Sequence, residues 1–360
     1  MTSVFDDLID QESVIATLKD AVAASKDSAN NSQEMTHSWL FTGPPGSGRS
    51  NAAIAFAAAL LCEKGGCNVC TNCLTVKDGS HADIELIRTE GLSIKVDEVR
   101  DLITRTSWSP SVGNYRVVVI EDADRLTESA ANALLKVIEE PGARTVWLLC
   151  APTLTDVIPT IRSRCRHLTL RTPSVAAVKK LLIERDGIDP KMAEFAASAS
   201  HGHIGRAKYL ANNEGARKTR EKIIHIPTSV IDIASAFEAA EEFTNLAKNE
   251  LEIENQASNI EEIQNLKDGF GLIGSKLATG GSKAVKDLEK VQKTRSSRLV
   301  KDNLNLFLIE LLQNYIEESK NEKIGSSVVR KQAVILKTIE TLKYNSSPQL
   351  ALESMFCQLK

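Results

Sequence analysis

The stretch Leu40-Phe41-Thr42-Gly43-Pro44-Pro45-Gly46-Ser47-Gly48-Arg49-Ser50 decides the fold. An apolar run ends in a glycine-rich turn, and an alanine-rich helix follows from Asn51 to Leu61. This is the strand–loop–helix context of a phosphate-binding loop. Glycines let backbone N–H groups close around phosphate oxygens, and the helix N-terminus adds the positive end of its dipole. Gly43, Gly48 and Ser50 fit the template G-x-x-x-x-G-K-[ST], but the lysine position holds Arg49. Lysine is a compact charge that reaches between the β- and γ-phosphates, whereas arginine is a bulky planar fork and not an equivalent replacement. The turn reads either as a nucleotide site that binds weakly and hydrolyses nothing, or as a strand-to-helix turn whose glycines serve only the backbone. Ser50 and the flanks favour a P-loop fold, and Arg49 argues against an active ATPase.

Downstream, Ala82 to Ile87 alternates like a strand, and Val96 to Thr106 places Val99, Leu102 and Ile103 on one helical side. Tyr115 to Ile120 is a nearly continuous β-branched run, as expected for a strand buried on both faces of a parallel sheet. It ends in Glu121-Asp122-Ala123-Asp124. Carboxylates at the C-terminal end of a central strand are where a Walker B motif holds Mg²⁺ and orients water, in the order aspartate then glutamate. Here the order is reversed, which moves each carboxylate by about an ångström, enough to cost roughly 10²-fold in a positioned reaction. A solvated strand end and helix cap is an equally open reading. Thr127 is a candidate N-cap for a helix that Pro141-Gly142 ends, and Thr145 to Cys150 is the next buried strand.

Between the P-loop helix and these strands lie Cys62, Cys67, Cys70 and Cys73, spaced C-x4-C-x2-C-x2-C around Gly65-Gly66. Four thiolates so close together can surround one Zn²⁺ tetrahedrally. The first three also fit the plant-type iron–sulfur spacing, but that pattern takes its fourth ligand from far downstream, whereas Cys73 lies close. A thioredoxin-like C-x-x-C would sit on its own strand–helix unit. No His lies in the loop and its one carboxylate, Glu63, does not suggest an open catalytic position, so the metal reads as a structural clip. Cys150, Cys165 and Cys357 read as buried small apolar residues.

The chain has 360 residues, 42% hydrophobic, 25% charged and only 4% aromatic, values that allow two or three domains with aliphatic cores. A net charge of −3 argues against a protein that grips nucleic acid on its own as its main task. No leader or membrane span is expected, the N-terminus carrying Asp6, Asp7 and Asp10, so a cytoplasmic protein with reduced thiols is expected. The Ser-, Asn- and Asp-containing segment from Lys26 to Glu34 reads as a polar loop. The glycine-containing segment from Asp268 to Ser282 reads as an exposed one between helices. Lys283 to Glu318, Ser326 to Leu342 and a proline-started C-terminal segment read as helices. His201 and His203, without ligand partners nearby, read as surface residues.

The order of P-loop, cysteine cluster, acidic strand end, Ala131-Asn132-Ala133-Leu134-Leu135-Lys136-Val137-Ile138-Glu139-Glu140-Pro141 and Ser163-Arg164-Cys165 resembles bacterial clamp-loader subunits of the AAA+ class. The resemblance covers the whole chain and is sharpest from Phe5 to Leu210. It implies an α/β P-loop domain with a parallel sheet and a zinc-binding insertion (1–172), a small helical lid (173–216) and an all-α collar for oligomerisation (217–360). The motor (gamma/tau) members carry the P-loop lysine, the aspartate–glutamate order and a polar sensor 1 residue. This chain has Arg49, Glu121-Asp122, and Ala151-Pro152 where that residue would fall. Three departures that each weaken hydrolysis imply the stator of the loader, working beside the gamma/tau motors and delta to place a sliding clamp on primed DNA. An active motor of the same assembly is the alternative, and a zinc-dependent nucleic-acid module a more distant one. ATP and Mg²⁺ binding at its own site is left open.

The resemblance makes Arg164 an arginine finger inserted in trans into a neighbour's ATP site, where a guanidinium spreads charge over the developing γ-phosphate oxygens. The plainer reading is one of four surface arginines, with Arg162, Arg166 and Arg171, in a basic patch. Arg206, in Gly202-His203-Ile204-Gly205-Arg206-Ala207, resembles a sensor 2 residue, which touches the γ-phosphate of its own site or only seals the lid.

Overall fold

The computed structural model describes residues 3–26, 35–89, 91–106, 108–142, 144–270, 272–273, 276–277, 281–321, 326–343 and 347–360. The polar loop expected over Lys26 to Glu34 lies, beyond Lys26, outside the described residues. The chain divides into two compact units, residues 1–211 and 212–360.

The first unit is built on five parallel strands: β1 (Ser38–Thr42), β2 (Ile84–Ile87), β3 (Arg116–Ile120), β4 (Thr145–Ala151) and β5 (Arg166–Thr169). Their order across the sheet is β2-β3-β4-β1-β5. Helices α1 (Glu12–Lys26), α2 (Arg49–Leu61), α3 (Thr71–Lys77), α4 (Val96–Thr106), α5 (Glu128–Glu139) and α6 (Pro159–Arg162) surround it. Successive strand residues point to opposite faces, and the core divides accordingly. Trp39, Phe41, Val117, Val119, Val146 and Leu148 pack with α1 and α2 on one face. Leu40, Val118, Ile120, Trp147 and Leu149 pack with α4 and α5 on the other. That two-sided burial is why β1, β3 and β4 read as unbroken apolar runs rather than alternating ones. The alanines of α2 let it lie close to the sheet, with Phe56 edge-on to Trp39 at a centroid distance of 5.0 Å.

The helix expected from Val96 to Thr106 is α4, and Thr127 caps α5 by accepting from Ala130 N at 3.3 Å. The segment Ile158–Arg166 contains α6 and leads into a fifth strand, β5, paired with β1. Three further helices complete this unit: α7 (Val175–Glu184), α8 (Pro190–Ala199) and α9 (Ile204–Asn212). Ser174 caps α7, and Asp189 with Pro190 at the first turn starts α8.

The second unit is helical: α10 (Glu214–His225), α11 (Ile233–Phe270), α12 (Gly281–Asn321), α13 (Ser326–Lys343) and α14 (Pro348–Leu359). Its core centres on Phe243, with Phe307 and Phe356 edge-on at 5.8 and 5.7 Å. Among the described residues that core takes nothing from α11 beyond Ala247 or from α12 before Val300. Beyond it the two helices hold each other: Gln292 Nε2 donates to Asn259 O at 3.0 Å, and Arg295 pairs with Glu262 at 2.8 Å. The loop expected over Asp268 to Ser282 is described only in part. Helix α11 runs on to Phe270, and a two-stranded antiparallel ribbon, β6 (Leu272–Ile273) and β7 (Lys276–Leu277), precedes α12. No helix among the described residues is long and apolar enough to cross a membrane.

Candidate functional site

The glycine-rich loop joins the C-terminal end of β1 to α2. Gly46 and Gly48 have φ of +81° and +87°, the left-handed region that a side chain resists. A Cβ on Gly46 would lie 2.4 Å from Cγ of His203, so the loop is covered by the residue preceding α9. This corrects the surface reading of His203. Burial, with Arg206 and Arg49 adding repulsion, holds its imidazole below the usual histidine range. His201 is half-buried with φ of +49°. Gly202 is required there, since a Cβ would lie 2.4 Å from Pro173 O. Arg206 lies in the first turn of α9, buried, with its guanidinium 5.5 Å from the Tyr209 ring centroid.

Arg49 turns into its own loop and donates from Nη1 to Gly43 O at 2.7 Å. Ser50 follows it in the first turn of α2, half-buried. Strand β4 lies between β1 and β3, so the loop and the acidic strand end stand two strand spacings apart, about 10 Å. At the end of β4 the sensor position carries only backbone: Pro152 O accepts from Gly43 N at 3.1 Å. The charges of Arg49, Glu121, Asp122 and Asp124 all act on buried Cys150 between them, whose thiol is pushed up chiefly by burial. The two motifs therefore share the C-terminal edge of the sheet, on either side of the end of β4.

Their carboxylates are engaged within the chain. Glu121 pairs with Arg88, just past β2, at 3.0 Å. Asp122 lies 4.0 Å from Arg125 and heads a short 3₁₀ turn without capping it through its side chain. Asp124 is raised by burial and by Asp122, against the pull of Arg125 and Arg49. A carboxylate held by arginine is a weak Mg²⁺ ligand and a weak base. The arrangement offers backbone N–H groups of the loop to an anion rather than an activated water.

The second cluster lies between α2 and α3. Cys62 ends α2, Gly65 and Gly66 turn the chain at φ +74° and +103°, and Cys70 caps α3 by accepting from Cys73 N at 3.5 Å. A Cβ on Gly66 would lie 2.6 Å from Val4 Cγ2. Lys26 Nζ donates to Cys62 O and Glu63 O at 2.9 and 2.7 Å, and Asn72 to Leu61 O at 2.9 Å. Neither contact nor α3 was legible in the cysteine spacing. The Sγ atoms all lie within 4.8 Å of one another, with Cys62 3.7 Å from both Cys67 and Cys70. A tetrahedron of metal–sulfur bonds of about 2.3 Å has edges of about 3.8 Å, so the group fits a metal ion. Burial works to raise the Cys62 thiol, but backbone N–H groups of Cys67, Gly66 and Lys64 outweigh it and bring it to about 6. Val69 N–H, first among others, lowers Cys67, while burial raises Cys73.

Arg164 sits in the turn between α6 and β5. Its backbone carbonyl accepts from Ser38 Oγ at 2.7 Å. Its guanidinium pairs with Glu139 at the end of α5, and Nη1 donates to Thr160 O at 2.9 Å and Ser163 Oγ at 3.3 Å. About a third of the side chain is exposed, at the edge of a cleft that His37 and Ile138 also line. Arg166 lies over the Trp39 ring at 4.9 Å, Arg162 reaches Leu154 O at 3.5 Å, and the Arg171 backbone is clamped by Gln11 through bonds of 2.6 and 3.1 Å. Of the remaining cysteines, Cys150 is buried, Cys165 is half-buried with its thiol pushed up by burial to about 11, and Cys357 is exposed, against the sequence expectation.

Residues 19–174 match the family model described as "DNA polymerase III, delta subunit". The chain is 32% identical over 195 residues to the DNA polymerase III subunit delta' of Bacillus subtilis, covering 53% of this chain and 59% of that one. It is 32% identical over 194 residues to subunit delta' of Pseudomonas aeruginosa, covering 52% and 59%. Subunit tau of Bacillus subtilis is also 32% identical, over 216 residues, covering 57% of this chain and 37% of tau. The chain thus spans about three fifths of the length of the delta' relatives it matches.

Proposed function

We propose, from the premise that residues 19–174 belong to the delta-prime-like family of DNA polymerase III clamp-loader subunits, that this chain is the stator of such a loader. It acts in the cytoplasm, in a ring with gamma/tau motors and delta, and assists ATP-dependent placement of a sliding clamp on primed DNA. One observation carries the non-motor reading: the groups that would run hydrolysis are spent within the chain. Arg49 lies on the Gly43 carbonyl, and Glu121 lies on Arg88. A P-loop cation on its own carbonyl and a carboxylate neutralised by arginine leave neither a γ-phosphate contact nor a base to position water.

Arg164 is the residue assigned to the neighbour's ATP. Glu139, Thr160 O and Ser163 Oγ hold its guanidinium on a turn backed by the sheet, which limits the rotamer freedom lost when it engages a phosphate. Residues 1–172 are the AAA+ P-loop domain, residues 173–216 the lid and residues 217–360 the collar. Arg206, buried under Tyr209 beside the covered loop, seals the lid rather than reading nucleotide. Cys62, Cys67, Cys70 and Cys73 hold one structural Zn²⁺, which would tie the end of α2 to α3 and supply folding free energy rather than catalysis.

Similarity to tau favours a second reading, an active motor. The experiment that separates them is ATP hydrolysis by the isolated chain and by an Arg49→Ala variant. Turnover that vanishes in the variant establishes the motor; no turnover in either supports the stator.

A further inference from the structure

The arm formed by α11 and α12 beyond the helical core carries a feature that the loader reading does not use. In α12, Leu288, Gln292 and Arg295 face α11, and Gln292 is buried against it. On the other side stand Lys283, Lys286, Lys290 and Lys293, all exposed. At 3.6 residues per turn these four fall within an arc of about 80°, centred opposite Leu288. Among the described residues none has a carboxylate within ion-pair distance; Asp287 and Glu289 stand at the two margins of the arc. Of the acidic groups on this stretch of α11, Glu262 pairs with Arg295, and Glu261 and Asp268 belong to the other helix. The stripe holds no apolar or aromatic side chain between Lys283 and Lys293.

We infer that this lysine face binds the phosphate backbone of duplex DNA, independently of any loader partner. The ten-residue separation of Lys283 and Lys293 spans about 15 Å along the helix. Duplex DNA carries one phosphate per roughly 1.7 Å of axis with both strands counted, so a stripe of this length lies against enough phosphates of the two strands for each flexible lysine to reach one. Both partners are stiff, and little ordering is lost on contact. A protein partner requires a desolvated anchor, commonly aromatic, which the stripe lacks. A lipid surface would gain from apolar side chains that insert, also lacking here. The contact positions DNA without reading its sequence.

The test is fluorescence anisotropy of the full chain with a labelled 24-base-pair duplex across about 50–200 mM salt, for the wild type and K283Q/K286Q/K290Q/K293Q. Glutamine keeps helix propensity and removes charge. Each phosphate contact contributes roughly −0.9 to the slope of log K against log salt. The quadruple variant is expected to lose about 3.6 of that slope and at least tenfold in affinity at the lowest salt, while K179Q/K180Q on α7 changes neither. Circular dichroism checks the fold, and if the quadruple variant fails it, K286Q/K290Q is expected to lose about 1.8 of slope. No DNA binding at the lowest salt, or a slope unchanged in the folded variant, overturns the inference. So does tighter binding to a single strand of the same length, or binding to phosphatidylserine vesicles without binding to DNA.

Discussion

Replacing Asp83 with asparagine is expected to destabilise the first unit by roughly 2–4 kcal/mol at pH 7. Asp83 precedes β2 and is fully buried. Its carboxylate accepts from Ser111 N, Ser111 Oγ, Val112 N and Gly113 N at 2.6, 2.8, 2.7 and 2.7 Å, pinning the segment that leads into β3 and so to Glu121. Burial works against ionisation, but the N–H groups of Gly113, Ser111 and Val112 outweigh it and bring the group from 3.8 to about 2. At about 1.36 kcal/mol per pKa unit, that depression contributes roughly 2.5 kcal/mol. Because the folded value is depressed, this stability is fully present above the unfolded value of 3.8 and is lost as pH falls towards 2. At pH 2 about 0.4 kcal/mol of it remains. Asparagine removes the charge and turns an NH₂ towards two N–H donors, so its cost includes unsatisfied groups. The assay is urea unfolding followed by tryptophan fluorescence, since Trp39, Trp108 and Trp147 all lie in the first unit and report on it alone. The difference between wild type and Asp83→Asn should be large at pH 7 and shrink by about 2 kcal/mol at pH 2. A difference below about 0.5 kcal/mol at pH 7, or one that does not change with pH, refutes the reasoning.

Three further outcomes follow from the same geometry. Gly46→Ala puts a Cβ against His203 at a left-handed φ. It is expected to cost about 2–5 kcal/mol, checked in the same unfolding assay; a neutral substitution would mean that His203 does not cover the loop. Cys67→Ser is expected to lose the bound metal, measured by elemental analysis, and to lower the melting temperature of the first unit; full zinc content and unchanged melting would contradict the four-thiolate site. Glu139→Gln is expected to raise the amount of this subunit needed for half-maximal loader ATPase while largely preserving the maximal rate, because it loosens Arg164 without removing it. A fall in the maximal rate equal to that of an Arg164 deletion would show that Glu139 does more than position.

What was legible in the sequence is what depends on neighbours along the chain. The strand–loop–helix at Leu40–Leu61 follows from an apolar run, glycines at positive φ and an alanine helix. Helix α4 and the Thr127 cap follow from periodicity and a single side chain. What depends on distant partners was not legible. Strand β5 reads Arg166-His167-Leu168-Thr169, too polar and short to announce itself, and exists because it lines the edge of β1. His203 looked like a surface residue because its burial comes from a loop 157 positions earlier, at Gly46. The Glu121–Arg88 pair joins the ends of adjacent strands, and no local pattern marks it. Of the loop expected over Asp268 to Ser282, the described residues up to Phe270 continue α11 and those from Gly281 open α12. The hydrophobic stripe narrows where each helix has only the other to pack against, as Gln292 and Arg295 replace apolar residues there.

The central claim is that this chain lends its arginine to a neighbour and turns over no ATP itself. The most direct measurement is the clamp- and DNA-stimulated ATPase of a loader reconstituted with the wild-type chain or with Arg164→Ala, with the isolated chain assayed alongside. The account predicts that the neighbouring motor's site loses at least about 10²-fold of its turnover with the trans guanidinium, so that loader ATPase falls by that site's share, assembly unchanged, and no hydrolysis by the isolated chain. Unchanged loader activity with Arg164→Ala, or robust hydrolysis by this chain alone, would contradict it.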